Sequence, residues 1–435
     1  MKKVLIIANL FHASPRIPGL AKYLPEFGWQ PIILTTPLGE DPHLRYAGPP
    51  ADFIKSGVRI IETPTSVVLG FWKKLFGFNS REDVGEQIKT KFNLTFEKPS
   101  YRFLSWLYRK GQAIVNYPDA ETGWKPYAVE AGDELLQNED IDAMISSSSP
   151  VTSHLIAREL KIKHKLHWVA DLRDLWTQNH TYGYGPLRMS FERKLELKTL
   201  SAADALVTVS ALWSEELSRL HKGKTIHTIT NGFDPDKLSK GLIDLTSKFT
   251  ITYTGLIYTG KQDPSKLFAA LHDLISNGTI NPRDIEVRFY GPKIEWLPRE
   301  IEGYGLSEIV KHYGPVPRES SFEKQKESQL LLLFNWNDHR VRGWYPLKIF
   351  EYLAAQRPIL AAGGFGDDVV EKLLDETKAG VYAPTTEDIK SALKELYLEY
   401  IEKGKIRYRG EIEKINKYSY REMSRKFAEV FDSLI

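Results

Sequence analysis

Short apolar runs recur along this chain of 435 residues, and a longer amphipathic stretch separates each run from the next. Continuous runs of Val, Ile and Leu predict strands that are buried on both faces, as in parallel sheets. The amphipathic stretches predict the helices that connect such strands. The predicted strands of the first half are Val4–Ala8, Pro31–Thr35, Ala143–Ser147, His167–Ala170, Ala205–Val209 and Thr225–Thr230. This alternation predicts a doubly wound α/β domain.

The alternation stops at a polar segment and then starts again. Residues 231–235 read Asn-Gly-Phe-Asp-Pro, a combination that indicates a turn. The predicted strands after it are Phe249–Thr254, Glu286–Tyr290, Ile309–His312, Leu330–Phe334, Pro358–Ala361 and Gly380–Tyr382. One hydrophobic core does not serve a chain of 435 residues. We therefore predict two Rossmann-like domains, 1–235 and 245–415, that face each other across a cleft, and a C-terminal helix within 416–435 that packs back on the first domain.

Charge and cysteine content exclude several classes of protein. The chain has 59 Lys and Arg against 56 Asp and Glu, so it lacks the basic field of a nucleic-acid-binding protein. It has no cysteine, which excludes disulfides, thiolate nucleophiles and Cys-based metal sites and is compatible with the cytoplasm. No apolar run is long enough to span a bilayer. We interpret the N-terminus as a first strand rather than a signal peptide, and we expect a cytoplasmic protein.

One insertion, about 64–125, interrupts the pattern of the first domain. Its segment 71–111 carries nine basic and four acidic residues, a difference of 9 − 4 = +5, with aromatic residues interleaved among them. Aromatic rings favour membrane interfaces and cations favour anionic headgroups, so this segment predicts peripheral docking on an anionic membrane surface. The alternative is that the aromatic residues pack onto the domain and the charges form a solvated face.

Two candidate sites follow strands of the first domain, where open α/β sheets bind ligands. After Val4–Ala8, Pro15 or Pro18 suits a helix start with free N–H groups, Gly19 permits close approach, and Arg16 suits a phosphate. The alternative is a turn that merely opens the helix.

The second candidate site follows His167–Ala170. There, Asp171, Arg173, Asp174 and the nearby Trp176 suit a polyhydroxylated acceptor and its proton. The alternative is a structural Asp–Arg pair that ties the loop down.

Two further candidates follow strands of the second domain. Behind Phe249–Thr254, Gly255 lets the backbone approach a diphosphate and Lys261 supplies a point charge. Farther on, Pro346 suits the first turn of a helix whose N-terminus would face a phosphate. Glu351 lies about one and a half turns into that helix, where its carboxylate can accept hydrogen bonds from two vicinal hydroxyls, such as those of a ribose.

Cofactor and metal motifs are weak in this sequence. The dinucleotide fingerprint G-x-G-x-x-G follows no predicted strand, and its nearest approximation, 183–188, lacks the last glycine, which disfavours a dinucleotide-dependent oxidoreductase. Asp234-Pro235-Asp236 has the form D-x-D but falls in the predicted linker turn. Asp140-Ile141-Asp142 precedes a strand, at the wrong end of a parallel sheet. No H-E-x-x-H spacing occurs. We expect neither a metal nor a cofactor.

Four segments together resemble the retaining glycosyltransferases of the GT-B fold, specifically family 4, over nearly the whole chain. The segments are Ser146-Ser147-Ser148-Ser149-Pro150, Asp171-Leu172-Arg173-Asp174-Leu175-Trp176, Thr230-Asn231-Gly232-Phe233-Asp234 and, most specific, Leu347-Lys348-Ile349-Phe350-Glu351-Tyr352-Leu353-Ala354-Ala355. The subgroup that the chain most resembles includes bacterial surface-polysaccharide and amino-sugar transferases.

The resemblance implies a role for each matching residue. Glu351 would bind the donor ribose, Lys261 and the amides around Gly19 and Pro346 would face the diphosphate, and Lys348 would assist. The loop that contains Asp171, Arg173 and Asp174 would border the acceptor and the reacting sugar. The sequence departs from the family pattern at two positions: Gly343 stands where many members have a Glu that contacts the transferred sugar, and Leu256 stands where an Arg is usual.

The activity that the resemblance implies is metal-independent transfer of a hexose or amino-sugar, with retention, from a nucleoside-diphosphate sugar. UDP is the favoured nucleotide, and the acceptor would be a saccharide or a lipid-linked sugar in cell-surface polysaccharide synthesis. The departing phosphate can accept the acceptor's proton, so Asp171 fits positioning better than general base catalysis. The alternatives are a nucleotide-sugar epimerase or hydrolase of the same fold, and a nucleotide-sugar-binding protein that has lost catalysis.

Overall fold

The computed structural model describes residues 1–10, 15–38, 53, 57–66, 116–180, 182–238 and 244–435. These residues form two compact units. The first unit comprises Met1–Thr208, Trp213–Thr228 and Phe427–Ile435, and the second comprises Val209–Leu212 and Ile229–Lys426. The segment 71–111, predicted to dock on a membrane, lies outside the described residues. Within the described part of the chain, no helix has the length and apolar character to cross a membrane.

The first unit contains a parallel sheet of seven strands in the order β3-β2-β1-β4-β5-β6-β7. The strands are β1 Lys2–Ile7, β2 Trp29–Thr35, β3 Arg59–Glu62, β4 Ala143–Ser148, β5 His167–Leu172, β6 Ala205–Thr208 and β7 Thr225–Thr228. The helices along this part of the chain are α1 Arg16–Tyr23, α2 Lys125–Asn138, α3 Thr152–His164, α4 Pro186–Leu200 and α5 Ala211–Leu220. The chain order reverses between β1 and β4.

The second unit contains a parallel sheet of six strands in the order β10-β9-β8-β11-β12-β13. The strands are β8 Phe249–Thr254, β9 Ile285–Tyr290, β10 Val310–Gly314, β11 Leu330–Phe334, β12 Ile359–Ala362 and β13 Gly380–Ala383. The helices from here to the C-terminus are α6 Ser265–Ser276, α7 Leu297–Gly303, α8 Arg318–Lys326, α9 Lys348–Ala355, α10 Val369–Thr377, α11 Thr386–Lys403, α12 Ile412–Asn416 and α13 Tyr420–Asp432. Here the chain order reverses between β8 and β11.

Strand β11 shows why a continuous apolar run marks the centre of such a sheet. Leu330, Leu332 and Phe334 belong to the hydrophobic core on one face, whereas Leu331 and Leu333 belong to the core on the other. All five side chains are essentially excluded from water. The predicted α/β architecture of two doubly wound sheets is therefore confirmed.

The end of helix α13 is part of the first unit. Phe431 is fully buried, and its ring meets that of Trp29 edge to face at 5.1 Å between centroids. Asp432 accepts hydrogen bonds from Lys2 Nζ at 2.7 Å and from Trp29 Nε1 at 3.2 Å. These contacts attach the C-terminus of the chain to the start of strands β1 and β2.

Candidate functional site

The loops that follow β8 and β11 are bonded to each other at the point where the second sheet reverses its order. Gln262, which is buried, donates from Nε2 to the carbonyl of Phe334 at 2.7 Å. The amide of Asn337 donates to the carbonyl of Lys261 at 3.1 Å. Ligands of open α/β sheets bind at this reversal, outside the carboxyl ends of the strands. The structure therefore places Lys261 at the expected position for a ligand of the second unit.

Two glycines allow the loop after β8 to approach the end of β9. Gly255 has φ of +103° and donates its N–H to the carbonyl of Tyr290 at 2.6 Å. A Cβ atom on Gly291 would lie 2.2 Å from the carbonyl oxygen of Gly255. Both positions exclude a side chain, the first by backbone conformation and the second by space. Gly255 therefore shapes the loop in addition to leaving its backbone accessible.

Lys261 is half-exposed, and its ammonium group lies near the side chains of the loop after β11. Its Nζ is 3.5 Å from Asp338 Oδ2 and 5.6 Å from the ring centroid of Trp336. Hydrogen bonds from Arg340 hold the pKa of Asp338 well below its usual range, so this carboxylate is ionised at neutral pH. The Lys261–Asp338 pair is partly solvated and weak. A stronger anion such as a diphosphate can therefore compete for the ammonium group.

Helix α9 begins where this loop ends, and its N-terminus has no side-chain cap among the described residues. The amides of Ile349 and Phe350 donate to the carbonyls of Pro346 and Leu347 at 3.0 and 3.2 Å, which forms a tight first turn. Pro346 precedes the N-cap residue Leu347, so it lies just outside α9 and not in its first turn as the sequence predicts. An uncapped N-terminus carries partial positive charge and favours anions.

Lys348, the first residue of α9, reaches the first strand of the sheet. Its Nζ donates to Tyr253 Oη at 2.5 Å and lies 3.8 Å from the centroid of that ring. A Cβ atom on Gly255 would be 3.4 Å from the same Nζ. Burial lowers the pKa of Lys348 to about 7, while nearby Glu351 raises it by a smaller amount. Lys348 therefore changes its charge in the neutral pH range.

Glu351 lies one turn further along α9, and its side chain is 41% exposed. Its Oε1 accepts from Arg318 Nη2 at 3.0 Å, and Arg318 is equally exposed. The next residue, Tyr352, is fully buried, and its hydroxyl joins the amide of Thr254 at 3.3 Å to the carbonyl of Leu332 at 3.1 Å. The buried tyrosine fixes the helix against β8 and β11, whereas the neighbouring carboxylate faces outward.

A pocket lies beside these groups within the second unit. Its lining residues are Asn335, Trp336, Asp338, Val341, Arg342, Trp344, Pro346, Phe365, Gly366 and Asp368. The rings of Trp336 and Trp344 contact each other at 4.9 Å between centroids. Asn335 is buried and donates from Nδ2 to the carbonyl of Gly363 at 3.3 Å, while its Oδ1 accepts no hydrogen bond from any residue that the structure describes. Burial raises the pKa of Asp368 to about 6. Aromatic faces and a few polar groups are the usual lining of a small-molecule site, but this cavity has a volume of only about 20 Å³, the space of one water molecule.

The two departures from the family pattern have structural consequences. Gly343 has φ of +88°, a conformation in which a glutamate would be strained. Leu256 is exposed, and its carbonyl accepts from Tyr253 Oη at 2.7 Å.

The predicted residues of the first unit form a buried ionic cluster. Asp171 lies inside strand β5, which extends to Leu172, and not in the loop after it. Arg16 donates to Asp171 from Nε at 3.1 Å and from Nη2 at 2.8 Å, and both side chains are fully buried. Ser147 Oγ donates to the same carboxylate at 2.7 Å. In this conformation the Arg16 guanidinium is held in the interior instead of being presented to a phosphate.

The neighbouring predicted residues also have internal partners. Arg173 is buried and donates to the carbonyls of Ser148 and Ser149 at 2.9 and 2.8 Å. Burial raises the pKa of Asp174. The side chain of Asp174 is nevertheless only half-buried, whereas those of Asp171 and Arg173 are buried. The amide of Gly19 donates to the carbonyl of Pro15 at the start of α1. Arg173 holds the end of β4 in place, and Asp174 is the most accessible of the predicted acceptor-side groups.

The D-x-D segment has a local structural role. Asp234 accepts from the amide of Asp236 at 3.0 Å and so caps a short 3₁₀ turn, Pro235–Lys237. Across the described residues, no cluster of three or more His, Asp or Glu side chains has the geometry of a metal site.

The structure thus gathers Gly255, Lys261, Pro346, Lys348 and Glu351 in the second unit, and Arg16, Gly19, Asp171, Arg173 and Asp174 in the first. The sequence prediction missed Asn335, Trp336 and Asp338, although they directly follow the predicted strand Leu330–Phe334. The same rule that selected the loop after β8 would have selected them.

Comparison with known proteins gives similarity in structure only. No protein-family model and no curated protein matches the sequence. The structure is similar to that of HepE from Anabaena in complex with UDP and glucose, with a TM-score of 0.63, 10% identity and full coverage of both chains. It is also similar to sucrose-phosphate synthase from Thermosynechococcus elongatus (0.61, 13%, 100% of this chain and 99% of that one). A glycosyltransferase from Rickettsia africae is similar too, with a TM-score of 0.61 and 15% identity, over 100% of this chain and 98% of that one. At these identities the likeness establishes the fold, which is GT-B.

Proposed function

We propose that this chain transfers a sugar from a nucleoside-diphosphate sugar, with UDP as the favoured nucleotide, and that the second unit binds this donor. The observation that carries the proposal is the grouping of Lys261, the uncapped start of α9 and the exposed carboxylate of Glu351 on one unit, at its topological switch point. The similar structure of HepE with UDP and glucose supports the choice of ligand.

Each group has a role in this proposal. Lys261 and the partial positive charge at the start of α9 stabilise the negative charge that builds up on the diphosphate as it leaves, so the reaction requires no metal. Glu351 accepts hydrogen bonds from the ribose hydroxyls once they displace Arg318 from its exposed ion pair. The acceptor oxygen bonds to the anomeric carbon from the same face on which the bond to the diphosphate breaks, and the departing phosphate takes the acceptor's proton, so the configuration is retained. Activity in excess chelator and the anomeric configuration of the product by NMR test these two points.

Lys348 is expected to take up a proton when the nucleotide binds. Because its pKa is about 7 in the free protein, it is mostly neutral near pH 8. A diphosphate beside it favours the charged form, so UDP binding near pH 8 should absorb about one proton and should weaken as the pH rises. Calorimetry in buffers of different ionisation enthalpy measures this uptake. Uptake that is unchanged in Lys348→Met would contradict the assignment.

The lining of the cavity beside α9 is proposed to contact the sugar of the donor once the cavity has widened. Trp344 supplies an aromatic face and Asn335 supplies an acceptor oxygen to which no described residue donates, whereas Gly343 has no side chain. In Trp344→Ala we expect kcat/KM for the donor to fall about tenfold or more, while affinity for UDP alone stays the same. Titration with UDP alongside kinetics with the UDP-sugar separates the two effects. Equal losses in both would mean that the pocket does not select the sugar.

The first unit is proposed to bind the acceptor, a saccharide or a lipid-linked sugar in cell-surface polysaccharide synthesis. Here Asp171 and Arg16 support the acceptor loop from inside the unit, while Asp174 and the surrounding backbone border the acceptor. We also propose that the protein works in the cytoplasm at an anionic membrane, with 71–111 as one contact. Co-sedimentation with anionic liposomes tests this contact, and unchanged binding after replacement of Trp72, Lys73, Lys74 and Phe76 would contradict it.

A donor and acceptor screen tests the proposed activity. Thermal shift with nucleoside diphosphates and their sugars identifies the donor, because a ligand of the native state raises its stability. Turnover of that donor should then depend on a saccharide or lipid-linked acceptor. Turnover without any acceptor would favour an epimerase or hydrolase. Binding without turnover across the panel would favour a binding protein that has lost catalysis.

A further inference from the structure

Helix α4 of the first unit, Pro186–Leu200, buries both of its carboxylates. Glu192 accepts from Arg188 Nε at 2.5 Å and from Trp176 Nε1 at 3.2 Å. Glu196 accepts from Thr177 and lies 3.3 Å from His221 Nε2. Both glutamates are essentially excluded from water. The polar face of this helix therefore points into the protein.

The opposite face of α4 exposes its largest apolar side chains. Leu187 is 74% exposed, Phe191 is 55% exposed and Leu197 is 37% exposed. Lys194 and Lys198 are also exposed. At 100° per residue these five positions fall within about 120° of the helix circumference, so they form one face. We call it the α4 outer face.

This arrangement is the reverse of an ordinary surface helix, which buries apolar residues and exposes charged ones. No acidic residue lies on the α4 outer face, because the helix has only Glu192 and Glu196. Arg188 and Arg193 direct their guanidinium groups inward, to Glu192 and to Thr177. The charges that remain on the outer face are the two lysines, so the face is both apolar and purely cationic.

An exposed aromatic residue precedes the helix. Tyr184 is 41% exposed, its ring meets that of Tyr182 edge to face at 5.4 Å, and the guanidinium of Arg188 lies 3.5 Å from its centroid. Apolar side chains flanked by tyrosine and lysine are typical of helices that lie in a membrane interface. Two lysines without a carboxylate on the same face complement a uniformly anionic surface.

We propose that the α4 outer face docks the protein on an anionic lipid bilayer. Leu187 and Phe191 enter the boundary between headgroups and acyl chains, and Lys194 and Lys198 contact the phosphates. The contact involves none of the groups proposed to bind the donor. It orients the first unit towards the membrane through α4.

Vesicle co-sedimentation of the full chain tests the proposal. With vesicles of equal parts phosphatidylglycerol and phosphatidylcholine, we expect Leu187→Ser/Phe191→Ser to lower the partition coefficient about tenfold or more, since two apolar anchors are lost. Lys194→Ala/Lys198→Ala should lower it about fivefold per lysine at low salt and little at high salt. Vesicles of phosphatidylcholine alone should bind the wild type weakly.

The chain offers a matched control on helix α11. Leu398 and Ile401 are 52% and 54% exposed, but Glu395 and Glu402 are exposed beside them. Leu398→Ser/Ile401→Ser should leave vesicle binding unchanged. All three double variants alter exposed side chains only, so the thermal midpoint of each should stay near that of the wild type.

Three results would overturn the proposal. The first is a vesicle partition coefficient of Leu187→Ser/Phe191→Ser equal to that of the wild type. The second is an equal loss of vesicle binding in the α11 control, Leu398→Ser/Ile401→Ser. The third is a wild-type dimer, by sedimentation velocity without vesicles, that the α4 variant dissociates while neither protein binds lipid. That last result would make a second copy of this chain the occupant of the α4 outer face.

Discussion

Replacing Lys261 by alanine is expected to weaken UDP binding about tenfold to a hundredfold, which corresponds to the loss of one charge-assisted hydrogen bond of about 1.5–3 kcal/mol. The loss in kcat/KM should be larger, about a hundredfold to a thousandfold, because negative charge grows on the leaving diphosphate in the transition state. The substitution should affect the fold little, because the ammonium group of Lys261 is half-exposed and Asp338, 3.5 Å away, is already paired with Arg340. Calorimetry with UDP and steady-state kinetics give the two numbers.

The controls for this prediction come from the same unit. Lys405→Ala and Glu402→Gln remove exposed charges away from the switch point and should leave UDP affinity unchanged. Glu351→Gln should weaken UDP binding while leaving affinity for inorganic pyrophosphate, which lacks a ribose, nearly the same. If Lys261→Ala binds UDP as tightly as the wild type, the loop after β8 does not hold the diphosphate.

Replacing Asp171 by asparagine is expected to destabilise the first unit by about 3–5 kcal/mol, because the buried guanidinium of Arg16 then lacks its counter-charge. The pair is fully buried, and Ser147 adds a third hydrogen bond to the carboxylate. In a unit of this size the thermal midpoint should fall by about 2–4 °C for each kcal/mol. Differential scanning calorimetry measures this change.

An exposed ion pair of the same unit provides the comparison. Glu215 and Arg219 lie on α5 at 3.6 Å and are largely solvated. Glu215→Gln should cost less than about 1 kcal/mol. Replacing both Arg16 and Asp171 by methionine should recover part of the loss, since no unpaired charge stays buried. A midpoint for Asp171→Asn close to that of Glu215→Gln would show that the Arg16–Asp171 pair does not support the fold.

Hydrophobic patterning predicted the strands that both faces of the sheet bury. Strand β11 is the clearest case, because its successive leucines serve two different cores and therefore form an unbroken apolar run. Strand β3, Arg59–Glu62, is missed because it has a charged residue at each end and only two apolar residues between them. The edge strand β7 has the same burial but carries β-branched Thr and Ile residues, which favour strands. Asp171 and Leu172 were assigned to a loop because a charged residue ends an apolar run, whereas here an ion pair keeps the carboxylate inside the strand.

The candidate site was predictable where one short segment contains it. Lys348 and Glu351 lie on one helix and Pro346 lies just before it, so their spacing alone predicts one anion-binding end and one outward carboxylate. The partners of these residues were not predictable in the same way. Lys348 meets Tyr253 and Arg16 meets Asp171 only because the sheets bring distant strands together, and no local pattern encodes those pairs.

Hydrogen–deuterium exchange of the full chain with and without saturating UDP reports both whether the nucleotide binds and where. A donor site on the second unit requires slower exchange in two of its segments, 254–262 and 335–352, which contain Lys261 and the start of α9. Exchange in 143–176 should change little. Protection confined to the first unit, or no protection by any nucleoside diphosphate, would contradict a donor site on the second unit.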